Sequence, residues 1–230
     1  MGMKQPAPGM LILAIALLSA EGLSALAGEL PRGELRGGET GGAQELVTHV
    51  CEACHGRGGN STDPSVPSLA GQGSAYLQNQ LAGFQAQRRV GVMSGIAMNL
   101  NGADMRDAAD YFSRQIPRGD ANDTADASAL RRGQVIYDEG IAATNVPSCA
   151  SCHALDGAGL PSLFPRLAGQ HSRYLAAQLR AFRSDSRLST NTMMQSVAAK
   201  LSDDEITEVA DYVAGLHTDA VPGRAGVMSE

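Results

Sequence analysis

All four cysteines of the chain fall in two five-residue runs, CEACH at 51–55 and CASCH at 149–153. Each run sets two thiols three residues apart and places a histidine directly after the second. Three chemistries use such a pair. A thioredoxin-like dithiol needs a βαβ setting, and no convincing alternating strand accompanies these runs. Zinc takes four thiolates or a mixture of thiolate and imidazole. Haem attachment bonds both thiols to the porphyrin vinyl groups and gives the following histidine to the iron. The histidine position favours the third. Two thioethers fix the porphyrin edge against one turn of backbone, and the next side chain is then aimed at the iron. Zinc has no need of a histidine beside cysteine in both copies, and a bare pair in an exported protein tends to become a disulfide. Cys51, Cys54, Cys149 and Cys152 are therefore the expected attachment points of two haem c groups, with His55 and His153 as axial ligands.

The elements that position these residues are also written twice. At an offset of 98, PSLAGQ (67–72) falls on PRLAGQ (165–170), and Tyr76, Leu77, Gln80, Leu81 and Phe84 fall on Tyr174, Leu175, Gln178, Leu179 and Phe182. The offset then becomes 101, which places three extra residues within SRLSTNT (186–192). From there Met93, Leu100, Asp110 and Tyr111 match Met194, Leu201, Asp211 and Tyr212. Two copies are too few for a solenoid, so the pattern reads as two similar domains. Met93 and Met194 hold matching positions in apparent loops, which nominates them as the sixth iron ligands. Met98 and Met193 compete, but neither has a methionine partner in the other copy. Pro67 and Pro165 each follow a histidine by twelve residues, and a carbonyl there is placed to accept the imidazole Nδ1–H.

Each copy reads as helical. Leucine, leucine and phenylalanine at i, i+4 and i+7 predict helices over 74–88 and 172–183. Asn101 with Asp104, and Ser202 with Glu205, have the spacing of capped helix starts. Short leading helices are expected at 44–49 and 129–137. The fold class is all-α.

Charge and composition narrow the setting. Lys4, the apolar run 10–20 and Ala25-Leu26-Ala27 have the form of an export signal over 1–27, too short to span a bilayer comfortably. A Gly-rich leader (28–42), a first domain (43–118), an acidic linker (119–128), a second domain (129–217) and a tail (218–230) follow. Residues 44–118 carry six acidic and six basic side chains, residues 129–217 nine and eight, and the whole chain has net charge −6. No basic run suggests nucleic acid and no basic amphipathic face suggests a membrane surface. The linker aspartates Asp120, Asp123 and Asp126 read as solvating charges. Aromatic content is 4% with no Trp, which leaves core space for a planar cofactor. Arg88, Arg89 and Arg187 read as exposed helix-end arginines, with haem propionates as the alternative partner. His49, His171 and His217 are expected at the surface or behind the ligands.

The order CxxCH, PxLAGQ, YLxxQLxxF, methionine and final helix, repeated over 43–217, resembles the dihaem cytochrome c4 family, most closely at MQSVAAKLS (194–202). The resemblance implies two tandem class I cytochrome c domains. It implies His/Met ligation by His55 with Met93 and His153 with Met194, and haems brought near each other across the domain interface. It implies a periplasmic electron carrier rather than an enzyme, with a quinol-oxidising complex as donor and a terminal oxidase as acceptor. Two alternatives are the cytochrome subunit of a sulfur-oxidising dehydrogenase and a dihaem peroxidase, the latter disfavoured because both copies keep methionine.

Overall fold

A stripe of leucine and phenylalanine at helical spacing must be buried against a second stripe, and in each repeat the last helix supplies it. The computed structural model describes residues 1–2, 44–119, 126–189 and 191–216. The chain divides into units 1–34 and 35–230, and both repeats lie in the second. The expected export signal beyond residue 2, the expected leader, linker residues 120–125 and the expected tail lie outside the described residues, as does His217.

In the first repeat, α-helical residues 44–46 run into a π-helical turn, Val47–Cys51, continued by α1 (Glu52–His55). Helices α2 (Ser74–Gln85), α3 (Val92–Ala97) and α4 (Gly102–Ser113) follow. The second repeat has α5 (Ala127–Glu139), α6 (Ala150–His153), α7 (Ser172–Arg183), α8 (Met193–Ala198) and α9 (Asp203–Ala214). Among the described residues, extended pairing is limited to three isolated bridges, and no helix is long and apolar enough to cross a membrane.

Several expected bounds shift for local reasons. Helix α2 ends at Gln85, not Arg88, because Gln87 turns into the left-handed region at φ 57°. Asp185 makes the same turn after α7 at φ 56°. Helix α5 begins two residues early, inside the expected linker, because Asp126 caps it by accepting from the backbone N–H groups of Ser128 and Ala129. Asp126 is thus a helix cap and not only a solvating charge. The expected starts of α4 and α9 are both true capping boxes. Asn101 accepts from the Asp104 N–H while Asp104 accepts from the Asn101 N–H, and Ser202 and Glu205 do the same.

Packing repeats between the copies. Helix α2 lies on α4, and α7 on α9. Ser74 Oγ donates to Asp110 at 2.5 Å, and Ser172 makes the matching bond to Asp211. Val47, Leu77, Ala108, Ala109 and Phe112 form one core, and Cys51 packs against it. Ile136, Tyr137, Val209 and Val213 form another, with Cys149 against it. Both cores therefore lie directly behind the cysteine runs.

Helix α5 crosses α9 at Gly133. A Cβ there would lie 2.1 Å from the Glu208 carbonyl oxygen and 2.9 Å from Tyr212 Cβ. Alanine gains about 1 kcal/mol of helix propensity, but forcing these backbones apart costs roughly 3 kcal/mol. Gly133→Ala should therefore lower the denaturant midpoint by chemical unfolding; an unchanged or raised midpoint would refute this close crossing.

Candidate haem-binding site

On a helical turn, positions i, i+3 and i+4 share one face. Cys51, Cys54 and His55 have that spacing across the π turn and α1, and Cys149, Cys152 and His153 have it across α6. His55 and His153 are buried, at 6% and 8% exposure, while Cys54 is exposed and the other cysteines are half-buried. No disulfide joins either pair. Burial pushes the Cys51 and Cys149 thiols up to about 11, with Glu52 adding to the effect at Cys51. A thiolate metal site wants the opposite shift. Among the described residues, no three His, Cys, Asp or Glu side chains are grouped to hold a metal ion.

Both histidines are oriented as the sequence suggests. His55 Nδ1 lies 2.8 Å from the Pro67 carbonyl oxygen, and His153 Nδ1 lies 2.9 Å from that of Pro165. A carbonyl only accepts, so Nδ1 carries the proton and Nε2 presents its lone pair. Burial holds both imidazoles below the ordinary histidine value, against the opposing pull of the prolyl carbonyls. The charge of Arg89 adds to the lowering at His55. Each repeat thus sets a buried imidazole, with its proton on Nδ1 and Nε2 presenting a lone pair, beside two cysteines. That donor set fits a thioether-linked haem.

Met93 and Met194 sit in the first turns of α3 and α8, not in loops. Six-residue helices are too short to leave a periodic signature, which is why the sequence reads as loop there. Both are half-buried, whereas Met98 is 64% and Met193 41% exposed. Burial therefore separates the matched methionines from their competitors.

The arginines depart further from expectation. Arg88 is exposed, but Arg187 is only 6% exposed and Arg89 is half-buried. The segments after α2 and α7 pair across the repeats through an antiparallel bridge between Arg89 and Arg187. Arg89 stacks on Phe84 of its own repeat and donates to Tyr174 and Gln178 of the other at 2.6 and 2.8 Å. Arg187 stacks on Phe182 and donates to Tyr76 and Gln80, both at 2.8 Å. The hydrogen-bond partners of both guanidiniums are neutral oxygens. Partly desolvated cations so placed favour a neighbouring anion, and the two acid groups at a haem edge have that charge. His171 is buried in this interface, with Nε2 3.1 Å from the Ser61 carbonyl, while His49 is exposed.

The glutamines of PxLAGQ also cross between repeats. Gln72 bonds the backbone of Arg166, and Gln170 that of Ser68. Both appear as identical letters in the two copies, but nothing in that identity shows that their contacts are exchanged.

Beyond each histidine the chain enters a left-handed extended conformation, at φ 73° for Gly56 and φ 66° for Ala154. Glycine suits this region and alanine is strained in it. Tyr137, fully buried, donates to the Ala154 carbonyl at 2.6 Å and helps to hold it there. Ala154→Gly should therefore stabilise the protein by about 1 kcal/mol, read as a raised unfolding midpoint; a lowered midpoint would show that the alanine methyl contributes more than its backbone costs.

The cytochrome c family model matches residues 130–217. Cytochrome c4 of Pseudomonas aeruginosa is 37% identical over 213 residues, 90% of this chain and 98% of that protein. The crystal structure of reduced recombinant cytochrome c4 from Pseudomonas stutzeri matches with a TM-score of 0.70 at 37% identity, covering 78% of this chain and 100% of that one. A thiosulfate dehydrogenase electron acceptor of Thiomonas intermedia is 33% identical over 71% of this chain and 77% of that protein.

Proposed function

The chain belongs to the cytochrome c4 family, and on that premise we propose that it passes single electrons between respiratory redox proteins in the periplasm, with each iron held between a histidine and a methionine. Two haem c groups are covalently bound, and the protein is an electron carrier rather than an enzyme. In the proposal, His55 and Met93 ligate the iron of the first repeat, and His153 and Met194 that of the second.

The observation that carries this reading is the pair of imidazole–carbonyl bonds, which leave Nε2 free to bind in both repeats. The half-buried, matched methionines support the second ligand. A haem held this way supplies a reversible one-electron couple, and the soft thioether favours its ferrous state. The protein's own part would be to supply a histidine and a methionine to each iron, exclude water and keep that ligand set in both oxidation states. With both ligands supplied by the chain, peroxide would find no open position, which argues against the peroxidase reading.

Export rests on the signal-like run at 10–20 and the site at 25–27. The resemblance to the family supports a quinol-oxidising donor and a terminal-oxidase acceptor as the proposed partners. A second reading, service to a sulfur-oxidising dehydrogenase, is favoured by the relative named as a thiosulfate dehydrogenase electron acceptor. Copurification with a stable dehydrogenase partner would select it.

Replacing one methionine tests the ligand set. Met93→Ala should open one iron to added cyanide or imidazole and drop the reduction potential of that haem alone. Met194→Ala should do the same at the other. The same substitutions at Met98 or Met193 should leave both potentials in place. If Met98→Ala or Met193→Ala opened an iron instead, the assignment would fall.

A further inference from the structure

The peptide groups that orient the two histidines each make a second hydrogen bond on their opposite side. The Pro67 carbonyl accepts from His55, and the N–H of the same peptide, on Ser68, donates to Gln170 Oε1 at 2.9 Å. In the second repeat the Pro165 carbonyl accepts from His153, and the N–H of that peptide, on Arg166, donates to Gln72 Oε1 at 3.0 Å. In both cases the glutamine belongs to the other repeat.

The orientation of each amide is fixed by its other contacts. Gln72 Nε2 donates to the Arg166 carbonyl at 2.9 Å and Gln170 Nε2 to the Ser68 carbonyl at 2.8 Å. Each Oε1 also accepts from the N–H of the following residue, Gly73 at 3.0 Å or His171 at 3.2 Å. The oxygen must therefore face the peptide N–H. Gln72 is 7% exposed, so little water competes for its bond.

A peptide that donates through its N–H becomes a better acceptor at its oxygen, because the amide dipole is polarised along the chain. Such cooperative strengthening is about 10–30% per bond. A stronger pull on Nδ1–H shifts electron density toward Nε2 and raises the basicity of the ligand. A more electron-rich imidazole stabilises ferric iron and lowers the reduction potential.

We infer that Gln170 and Gln72 are positioning residues that tune the haem of the opposite repeat, through the relay from glutamine to peptide to histidine. The inference rests on the proposed ligation by His55 and His153. It makes the contact between repeats a determinant of each potential, so that loosening this contact raises both potentials.

The test is a redox titration of the intact protein, followed by the paramagnetically shifted haem methyl resonances, which keep the two haems apart. Gln170→Leu should raise the potential of the haem on Cys51 and Cys54 by more than that of its own repeat. Gln72→Leu should give the mirror image. Gln178→Leu serves as the control, because it weakens the same interface at Arg89 and Arg187 without touching either prolyl peptide; it should not reproduce the crosswise pattern. Equal shifts, larger shifts in the substituted repeat, no shifts, or the same pattern from Gln178→Leu would each overturn the inference. Absence of low-spin, histidine-ligated iron in the unsubstituted protein would instead overturn the ligand reading, and the inference with it.

Discussion

The hydrogen bond from a buried imidazole to a prolyl carbonyl is the contact around which both repeats are arranged, because it settles two properties of the imidazole together. It fixes the ring orientation and the tautomer, while burial disfavours the charged ring against the carbonyl's opposing pull. The cysteine runs need that histidine on the same helical face as the thiols. The PxLAGQ loop needs a rigid carbonyl opposite it. The paired helices, α2 on α4 and α7 on α9, supply the apolar wall behind both.

The two repeats solve the same local problem with unequal materials. Gly56 takes the left-handed turn after the first histidine at little cost, and Ala154 takes it under strain with Tyr137 holding its carbonyl. Gln85 of the first repeat donates to the carbonyls at the end of α3, at Ala97 and Leu100. Arg183 holds the matching position, bonds the Leu201 carbonyl and ties to Asp203 as well. That ion pair is exposed and adds little stability. It does show that backbone geometry is maintained while the side chains diverge.

Much of this was legible in the sequence because it is local. Thiol and histidine spacing, the offset between copies, the capping boxes and the leucine–phenylalanine stripes all lie within one turn or one helix. The twelve-residue step from histidine to proline was legible for a related reason: it recurs. What escaped reading was whatever depends on one repeat meeting the other. Arg187 looks like any charged residue after a helix, yet it is buried because the opposite repeat covers it with Tyr76 and Gln80. Gln72 and Gln170 look like loop polar residues, and their exchange of partners exists only in the folded pair. Met93 and Met194 share a matching position in the two copies, but their six-residue helices are too short to leave a periodic signal.

Both repeats are proposed to hold a haem between histidine and methionine. An absorption spectrum of the oxidised protein, carried into the far red and paired with a denaturing pyridine haem count, tests it directly. The expected result is two covalent haems per chain and a methionine-to-ferric-iron charge-transfer band of full intensity for both. One haem per chain, or a band of half intensity beside a high-spin signal, would contradict it.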